Sequence, residues 1–224
     1  MDLSKIHEYF QPESVTERIH IIGCGSVGST IAENLVRCGL VSLTLWDFDE
    51  VEPHNIVNQI FRTQDVGRNK AEALLDILCE INEDVRVKTR LKTKGWQGES
   101  LAGYVFLCVD SIDLRKEIMK KMMMSQGVQA VFDFRTGLED AQHYAARWSN
   151  AEQRQELLDS MDFTHAEVDP EATSACGVIL GVCPTVRAIC AIGCANFMNL
   201  VRGEKINKFV LFDPFRAKIL AYSE

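Results

Sequence analysis

The feature that most constrains this chain is a glycine-rich turn, GCGSVG at residues 23–28, set between a β-branched run and a helical repeat. Residues 18–22 (RIHII) predict a strand, and the following STIAENLVRCGL spaces its apolar residues as a helix does. Glycine at Gly23, Gly25 and Gly28 lets the backbone turn tightly and approach a phosphate without a Cβ clash. The amides at the start of the helix then face an anion. The turn therefore predicts a nucleotide site.

The rest of the chain continues the alternation of strand and helix patterns. Strand patterns occur at VSLTLWDFD, YVFLCVD and VQAVFDF, and helical patterns lie between them. Such alternation is typical of an α/β protein with a doubly wound, mainly parallel sheet and right-handed crossovers. We expect this Rossmann-like sheet to gain an exposed strand at VRVKTRLKT. A C-terminal antiparallel hairpin, KFVLFDP and FRAKILAY, should turn at Asp213-Pro214.

We expect residues 1–224 to form a single domain. Residues 139–175 are rich in acidic and polar side chains with little periodicity, and we interpret them as a surface excursion of crossover type. A long apolar helix at 184–201, started by Pro184, follows this excursion.

Composition narrows the function classes. The formal net charge of -8 argues against a general nucleic-acid binder. From the polar N-terminus we expect no secretory signal, and we expect no apolar run long enough to span a bilayer. Most of the eight cysteines lie in apolar runs, so we expect small core residues and a reducing, cytoplasmic location. No pair has C-x-x-C spacing, which argues against a four-cysteine zinc site.

An acidic residue strengthens the nucleotide interpretation. Asp47 ends the strand that follows the first helix, where an acidic residue accepts hydrogen bonds from a ribose. The glycine turn and Asp47 do not choose between a dinucleotide and ATP. A tight turn without any ligand is the remaining alternative.

Further motifs make the chain resemble the ThiF/MoeB/HesA family, the ubiquitin-activating-enzyme-like adenylyltransferases. Besides the glycine turn, a strand ending in D-x-D-x-V, an N-[LI]-x-x-Q segment and a V-G-x-x-K-A step recur with near-family spacing, the middle one as NIVNQ. The resemblance runs through about residues 18–135 and 174–222. A nicotinamide-dependent dehydrogenase has no reason to carry the last three motifs.

The resemblance implies roles for the residues in these motifs. Asp47 would hold the ATP ribose, with Asp49 close beside it. Asn55 and Gln59 would line the nucleotide and phosphate pocket. Lys70 would stabilise the α-phosphate as negative charge builds in the transition state. The alternative for Lys70 is an ordinary solvated lysine at the start of a helix.

The resemblance also assigns a metal ligand. The family pattern D-N-x-x-x-R binds the Mg²⁺ that bridges ATP phosphates, and this chain matches its aspartate at Asp110 and its arginine at Arg115. Mg²⁺ suits one carboxylate together with phosphate oxygens and waters. The alternative is a helix N-cap at Asp110, Ser111 or Asp113.

Two departures from the family concern arginines. The family usually has R-Q where this chain has Asn58-Gln59, so one phosphate-binding arginine is missing, and we predict that Arg62 substitutes for it. No counterpart of the family's N-terminal arginine, which reaches the partner subunit, is found before Arg18.

Cys176 is the predicted nucleophile for a thioester. It precedes Pro184 at about the offset at which the family's covalent cysteine lies, and it comes from the polar excursion. Its alternatives are a small residue in a tight turn, or replacement in this role by Cys183.

The function expected from these motifs is ATP- and Mg²⁺-dependent adenylation of a carboxylate. The acceptor would be a small ubiquitin-like or sulfur-carrier protein with a C-terminal Gly-Gly tail, and the enzyme a homodimer. Alternatives are a non-catalytic nucleotide-binding scaffold of the same fold, an NAD-dependent oxidoreductase, and an enzyme that adenylates a tRNA nucleoside.

Overall fold

The computed structural model describes residues 1–162 and 181–224. The strands are β1 Ile19–Ile22, β2 Leu43–Trp46, β3 Arg90–Lys92, β4 Gly103–Leu107, β5 Val128–Thr136, β6 Ala141–Arg147, β7 Asn207–Asp213 and β8 Lys218–Ser223. The helices are α1 Ser26–Arg37, α2 Lys70–Ile81, α3 Val85–Lys88, α4 Ile112–Met122, α5 Ala151–Asp159 and α6 Cys183–Val201.

The eight strands of the described residues form one sheet in the order β3-β2-β1-β4-β5-β6-β7-β8. The first five in this order pair in parallel, and β6, β7 and β8 pair antiparallel. The strand order reverses between β1 and β4, which is where α/β sheets of this kind bind their ligands. The predicted α/β class, the mainly parallel sheet and the closing hairpin β7–β8 are therefore confirmed.

Helices cover both faces of the sheet. One hydrophobic core packs α1, α2 and α6 against β1, β2, β4 and β5. A second core, on the other face, includes Trp46, Trp96 and Trp148 and packs against α4 and α5. This arrangement buries the parallel strands on both sides, which explains why their sequences are almost continuously apolar.

Two segments differ from the sequence expectation. The predicted strand VRVKTRLKT is the short helix α3 followed by the three-residue edge strand β3. The interval 139–175 contains β6, which pairs with both β5 and β7, and α5. The burial pattern of β6 was hidden because its inward positions carry small or polar residues such as Ala141 and His143. Residues 163–175 of the expected excursion lie outside the described residues.

Helix α6 also corrects an expectation. It has 19 residues, and an 18-residue window within it has a mean hydropathy of 1.2, so it is long and apolar enough to cross a membrane by length and composition. The expectation that no run reaches this length is wrong. Its buried side chains, among them Val186, Ile189 and Phe197, belong to the core that includes α1 and β5. The apolar character of α6 thus matches its place in the sheet's core.

Candidate nucleotide site

The carboxyl ends of β1, β2 and β4 bring the predicted site residues to one edge of the sheet. Ile22 pairs with Trp46 on one side and with Leu107 on the other. The glycine turn, Asp47 and Asp110 each follow one of these strands within three residues. Three separate sequence motifs therefore meet where the strand order reverses.

The glycine turn is shaped by contacts that exclude a side chain. Gly23 has φ +92°, and a Cβ there would lie 2.8 Å from the Cys108 carbonyl carbon. A Cβ on Gly28 would lie 1.8 Å from the Gly23 carbonyl oxygen. Gly25 has open space around it and is the N-cap of α1, with no side chain capping the helix. The first amides of α1 are thus available to an anion.

These glycines give a matched pair of predictions. Gly28→Ala should lower the free energy of unfolding by about 3 kcal/mol, because the methyl group collides with backbone. Gly25→Ala should change it by less than about 1 kcal/mol, since φ is -72° and the space is open. Gly25→Ala should instead weaken ATP binding. Denaturant unfolding and calorimetry measure the two effects, and equal destabilisation by both variants would contradict the assignment.

Asp47 joins the glycine turn to the end of β2. Its Oδ2 accepts the Cys24 amide at 2.6 Å, and its Oδ1 accepts the Asp49 amide at 2.8 Å. Burial raises the pKa of Asp47, and these two amide hydrogen bonds oppose the rise. Each carboxylate oxygen keeps a second lone pair, so Asp47 has both a structural contact and an acceptor for a ligand hydroxyl.

Lys70 is fixed beside Asp49 by several contacts. Its Nζ lies 2.9 Å from Asp49 Oδ2, and its side chain is only 11% exposed. The preceding Asn69 caps α2 by accepting the amides of Ala71 and Glu72, and donates to the carbonyls of Asp47 and Asp49. Asn69 was missed in the sequence, although asparagine directly before a helical repeat is an N-cap signal.

The loop at 50–69 carries the predicted amide side chains. Asn55 is buried, and its Oδ1 accepts the Glu52 amide at 2.9 Å, which closes the 3-10 turn Pro53–Val57. The amide nitrogen of Asn55 has no hydrogen bond to another described residue, which leaves it for a ligand. Gln59 Oε1 is buried without a hydrogen-bond partner among the described residues. A buried acceptor of this kind calls for a donor that a bound ligand would supply.

Arg62, the predicted substitute for the missing phosphate-binding arginine, pairs with two acidic side chains of the protein. Its guanidinium makes three hydrogen bonds to Glu80 on the exposed side of α2, the shortest at 3.0 Å, and contacts Asp65 at 3.5 Å. Arg68 and Asp76 continue this ion-pair network. The charge of Arg62 is paired in this network, which accounts for the position of its side chain without a phosphate.

Asp110 lies in the loop between β4 and α4. The N-cap of α4 is Ser111, whose hydroxyl accepts the Leu114 amide at 3.2 Å. Ser111, and not Asp110, therefore caps α4. Asp110 is exposed and has no side-chain partner in the described parts of the chain.

Arg115 holds this loop in place. Its guanidinium donates to the Val109 carbonyl, to the Phe134 carbonyl and to Asp133 on β5. Asp133 is fully buried and also accepts Arg135 at 2.7 Å. The arginine of the D-x-x-x-x-R pattern therefore positions the backbone directly before Asp110.

Removing Arg115 should destabilise the fold. Arg115→Met should lower the free energy of unfolding by about 3 kcal/mol, which is the lower end of the range for breaking a buried ion pair. The lower end is expected because Arg135 still neutralises Asp133. Urea denaturation measures this. The control Arg216→Met removes an exposed arginine that pairs with Glu139 and Asp213, and should have far less effect. Similar losses in both variants would contradict the positioning role.

The described cysteines fall into a buried group and a partly exposed group. Burial raises the pKa of Cys24, Cys190 and Cys194, for Cys194 to about 12, so these thiols stay protonated at neutral pH. Cys183, the alternative nucleophile, is partly exposed at the first position of α6. Cys176, the predicted nucleophile, lies outside the described residues.

The charges of the site fit a nucleotide bound with a divalent cation. Within residues 1–162 and 181–224, Lys70 pairs with Asp49, and no ion pair involves Asp47 or Asp110, so a triphosphate would add to an excess of negative charge. No group of three or more metal-ligating side chains occurs in the described residues. Mg²⁺ bound by Asp110, phosphate oxygens and waters needs no such group, so these residues fit that ion.

Comparison with known proteins gives relatives over part of the chain. The ubiquitin-like modifier-activating enzyme 5 of Culex quinquefasciatus is 31% identical over 134 residues, which cover 53% of this chain and 33% of that protein. The same enzyme of Arabidopsis thaliana is 46% identical over 67 residues, 30% of this chain and 16% of that protein. The matched region thus spans a third or less of these relatives.

Solved structures match the fold over nearly the whole chain. PaaA has a TM-score of 0.72 at 17% identity, covering 94% of this chain and 74% of that one. MccB of Escherichia coli with ATP has a TM-score of 0.70 at 16% identity, covering 94% and 64%. The sequence model of the ThiF family matches residues 1–196. The resemblance inferred from the motifs is confirmed, and this chain belongs to the ThiF family.

Proposed function

We propose that this chain is an ATP- and Mg²⁺-dependent adenylyltransferase that activates the C-terminal carboxylate of a small ubiquitin-like or sulfur-carrier protein. The observation that carries the proposal is the meeting of the glycine turn, the Asp49–Lys70 pair and Asp110 at one edge of the sheet. Membership of the ThiF family and the similarity to enzymes that activate ubiquitin-like modifiers support it.

In the proposed reaction a carboxylate oxygen attacks the α-phosphorus of ATP. A new P–O bond forms, the bond to the bridging oxygen of the β-phosphate breaks, and pyrophosphate leaves. The amides at the start of α1 and the Lys70 ammonium would stabilise the charge that builds on the phosphates. Asp47 would accept a hydrogen bond from a ribose hydroxyl. Gln59 Oε1 would accept a hydrogen bond from a donor group of the ligand. Catalysis would then rest on positioning and charge stabilisation.

Asp110 would hold the Mg²⁺ ion. When bound, the ion would neutralise charge on the phosphates and orient them. The exposed carboxylate, left without a cap or an ion pair within the described ranges, supports this role. Arg115 contributes by fixing the Val109 carbonyl, which sets the direction of the loop.

The test is ATP–pyrophosphate exchange across a panel of small carrier proteins that end in Gly-Gly. We expect exchange that requires both the carrier and Mg²⁺, and that fails when the carrier's terminal glycine is removed. Exchange with no carrier in the panel would count against this substrate class. Absorbance of a nicotinamide cofactor, which we expect to stay constant, tests the oxidoreductase alternative.

A non-catalytic scaffold is the second candidate. The shortage of arginines for the phosphates favours a scaffold. Position 58 is an asparagine, and Arg62 is paired with Glu80 and Asp65. The scaffold would bind ATP without catalysing exchange with any carrier. Calorimetric binding of ATP combined with absent exchange would therefore favour it.

Three parts of the proposal extend beyond adenylation. The chain would act as a homodimer, and the partly exposed side of α6 is apolar enough to contribute to such an interface. It would work in the cytoplasm, where free cysteines persist. Sedimentation velocity tests the homodimer.

A thioester on Cys176 would follow adenylation. Conjugation of the carrier to the chain that is lost in Cys176→Ser tests this step.

A further inference from the structure

Asn58 links the nucleotide loop to the start of α6. Its Nδ2 donates to the Gly181 carbonyl at 3.2 Å, across 123 positions of the chain. A Cβ on Gly181 would lie 2.8 Å from this nitrogen, so the glycine lets the amide approach. The family motif has an arginine at position 58, whereas the asparagine here uses its donor on the protein itself.

A second hydrogen bond, from Thr185, holds the first turn of α6. Thr185 Oγ1 donates to the Leu138 carbonyl in the β5–β6 connection at 2.9 Å, and Thr185 is buried. Gly181 and Thr185 therefore fix this turn between two loops at the carboxyl edge of the sheet. Cys183, the first residue of α6, lies between these two anchors and is partly exposed.

Asn58 is also rigidly joined to the predicted ligand residues of its own loop. The backbone amides of Asn58 and Gln59 both donate to the Asn55 carbonyl, at 3.4 Å and 3.0 Å. A ligand that contacts Asn55 or Gln59 must therefore change the freedom of Asn58, because the three residues form one short turn. By thermodynamic reciprocity, if ligand binding stabilises the position of Asn58, then fixing Asn58 increases the affinity for the ligand by the same factor.

We infer that Asn58 is a positioning residue that couples nucleotide binding to the start of α6. It has given up the phosphate contact of the family arginine and fixes the helix turn that bears Cys183. The coupling rests on the proposed function, because ATP is the ligand that would stabilise the loop. The role of Asn58 in fixing the start of α6 does not depend on the proposed function, and it can be measured without nucleotide.

The experiment follows alkylation of Cys183 by iodoacetamide in the full chain, with the modified residue assigned by fragment-ion mass spectrometry. Asn58→Ala removes the donor, and Asn58→Asp places an acceptor against the Gly181 carbonyl. Both should speed Cys183 alkylation about fivefold, the factor that corresponds to one hydrogen bond of about 1 kcal/mol. Alkylation of Cys79 on α2 should stay unchanged, which controls for general unfolding. Val57→Ala, at an exposed neighbour, should behave as wild type.

Adding ATP with Mg²⁺ tests the coupling. Wild type should show slower Cys183 alkylation, and the two Asn58 variants should lose this response. Unchanged Cys183 rates in both variants without nucleotide would overturn the positioning role, and an intact ATP response would overturn the coupling. If calorimetry shows no ATP binding to wild type, the proposed function fails and the coupling with it. The comparison without nucleotide still decides whether Asn58 fixes α6.

Discussion

Asp110→Asn should reduce ATP–pyrophosphate exchange by at least about 10²-fold, comparable to the loss of one preorganised group that stabilises transition-state charge. The substitution keeps the shape of the side chain and replaces the charged carboxylate by a neutral amide, which is a weaker ligand for the proposed Mg²⁺. The fold should be unaffected, because Asp110 is exposed and Ser111 caps α4. The concentration of Mg²⁺ needed for half-maximal exchange should also rise.

Asp113→Asn is the matched control for this variant. Asp113 is exposed and lies in the first turn of α4, so its replacement removes the same charge near the same helix end. Both variants should lose a similar, small interaction with the helix dipole. Exchange should stay near the wild-type rate in Asp113→Asn. Equal losses in both variants, or exchange that survives in Asp110→Asn, would refute the metal assignment.

Lys70→Met should lower the exchange rate by about 10² to 10³-fold, because the ammonium that would face the α-phosphate is removed while the apolar stem is kept. Stability should change little. Asp49, its partner at 2.9 Å, is half-exposed and can be solvated by water when the lysine is lost. Exchange kinetics and thermal unfolding measured on the same preparation separate the two effects.

The control for Lys70 is Lys88→Met, which removes an exposed lysine from α3. It should leave exchange unchanged. Asp49→Asn added to Lys70→Met should cost little more, since the two residues act as one unit. A loss of activity in Lys70→Met that is matched by a loss of folded protein would mean that Lys70 is a structural residue.

The sequence was informative where local chemistry decides the structure. A glycine turn between a strand and a helix, and an aspartate at the next strand end, require no knowledge of distant residues. Gly23 and Asp47 therefore lie where the pattern predicts them. The start of α2 at Lys70 could be predicted in the same way, and the N-cap Asn69 could have been added.

Long-range pairing decided the features that the sequence did not predict. Arg62 is bound by Glu80, eighteen residues further along, and nothing local marks that partner. Strand β6 is a strand because β5 and β7 flank it, although its own sequence has weak periodicity. The link from Asn58 to Gly181 joins positions that only the folded chain brings together. Such contacts depend on topology and not on local propensity.

Asp133 has a consequence for how the molecule unfolds. This buried carboxylate on β5 is shared by Arg115, which holds the loop before Asp110, and Arg135, whose guanidinium also binds Ser160 at the end of α5. β5 is itself the strand at which parallel pairing gives way to antiparallel pairing. Separating β5 from the parallel half would break the buried Arg115–Asp133 pair, and separating it from the antiparallel half would break the contacts of Arg135 with Ser160. Unfolding should therefore be cooperative, with the parallel half and the antiparallel half melting together.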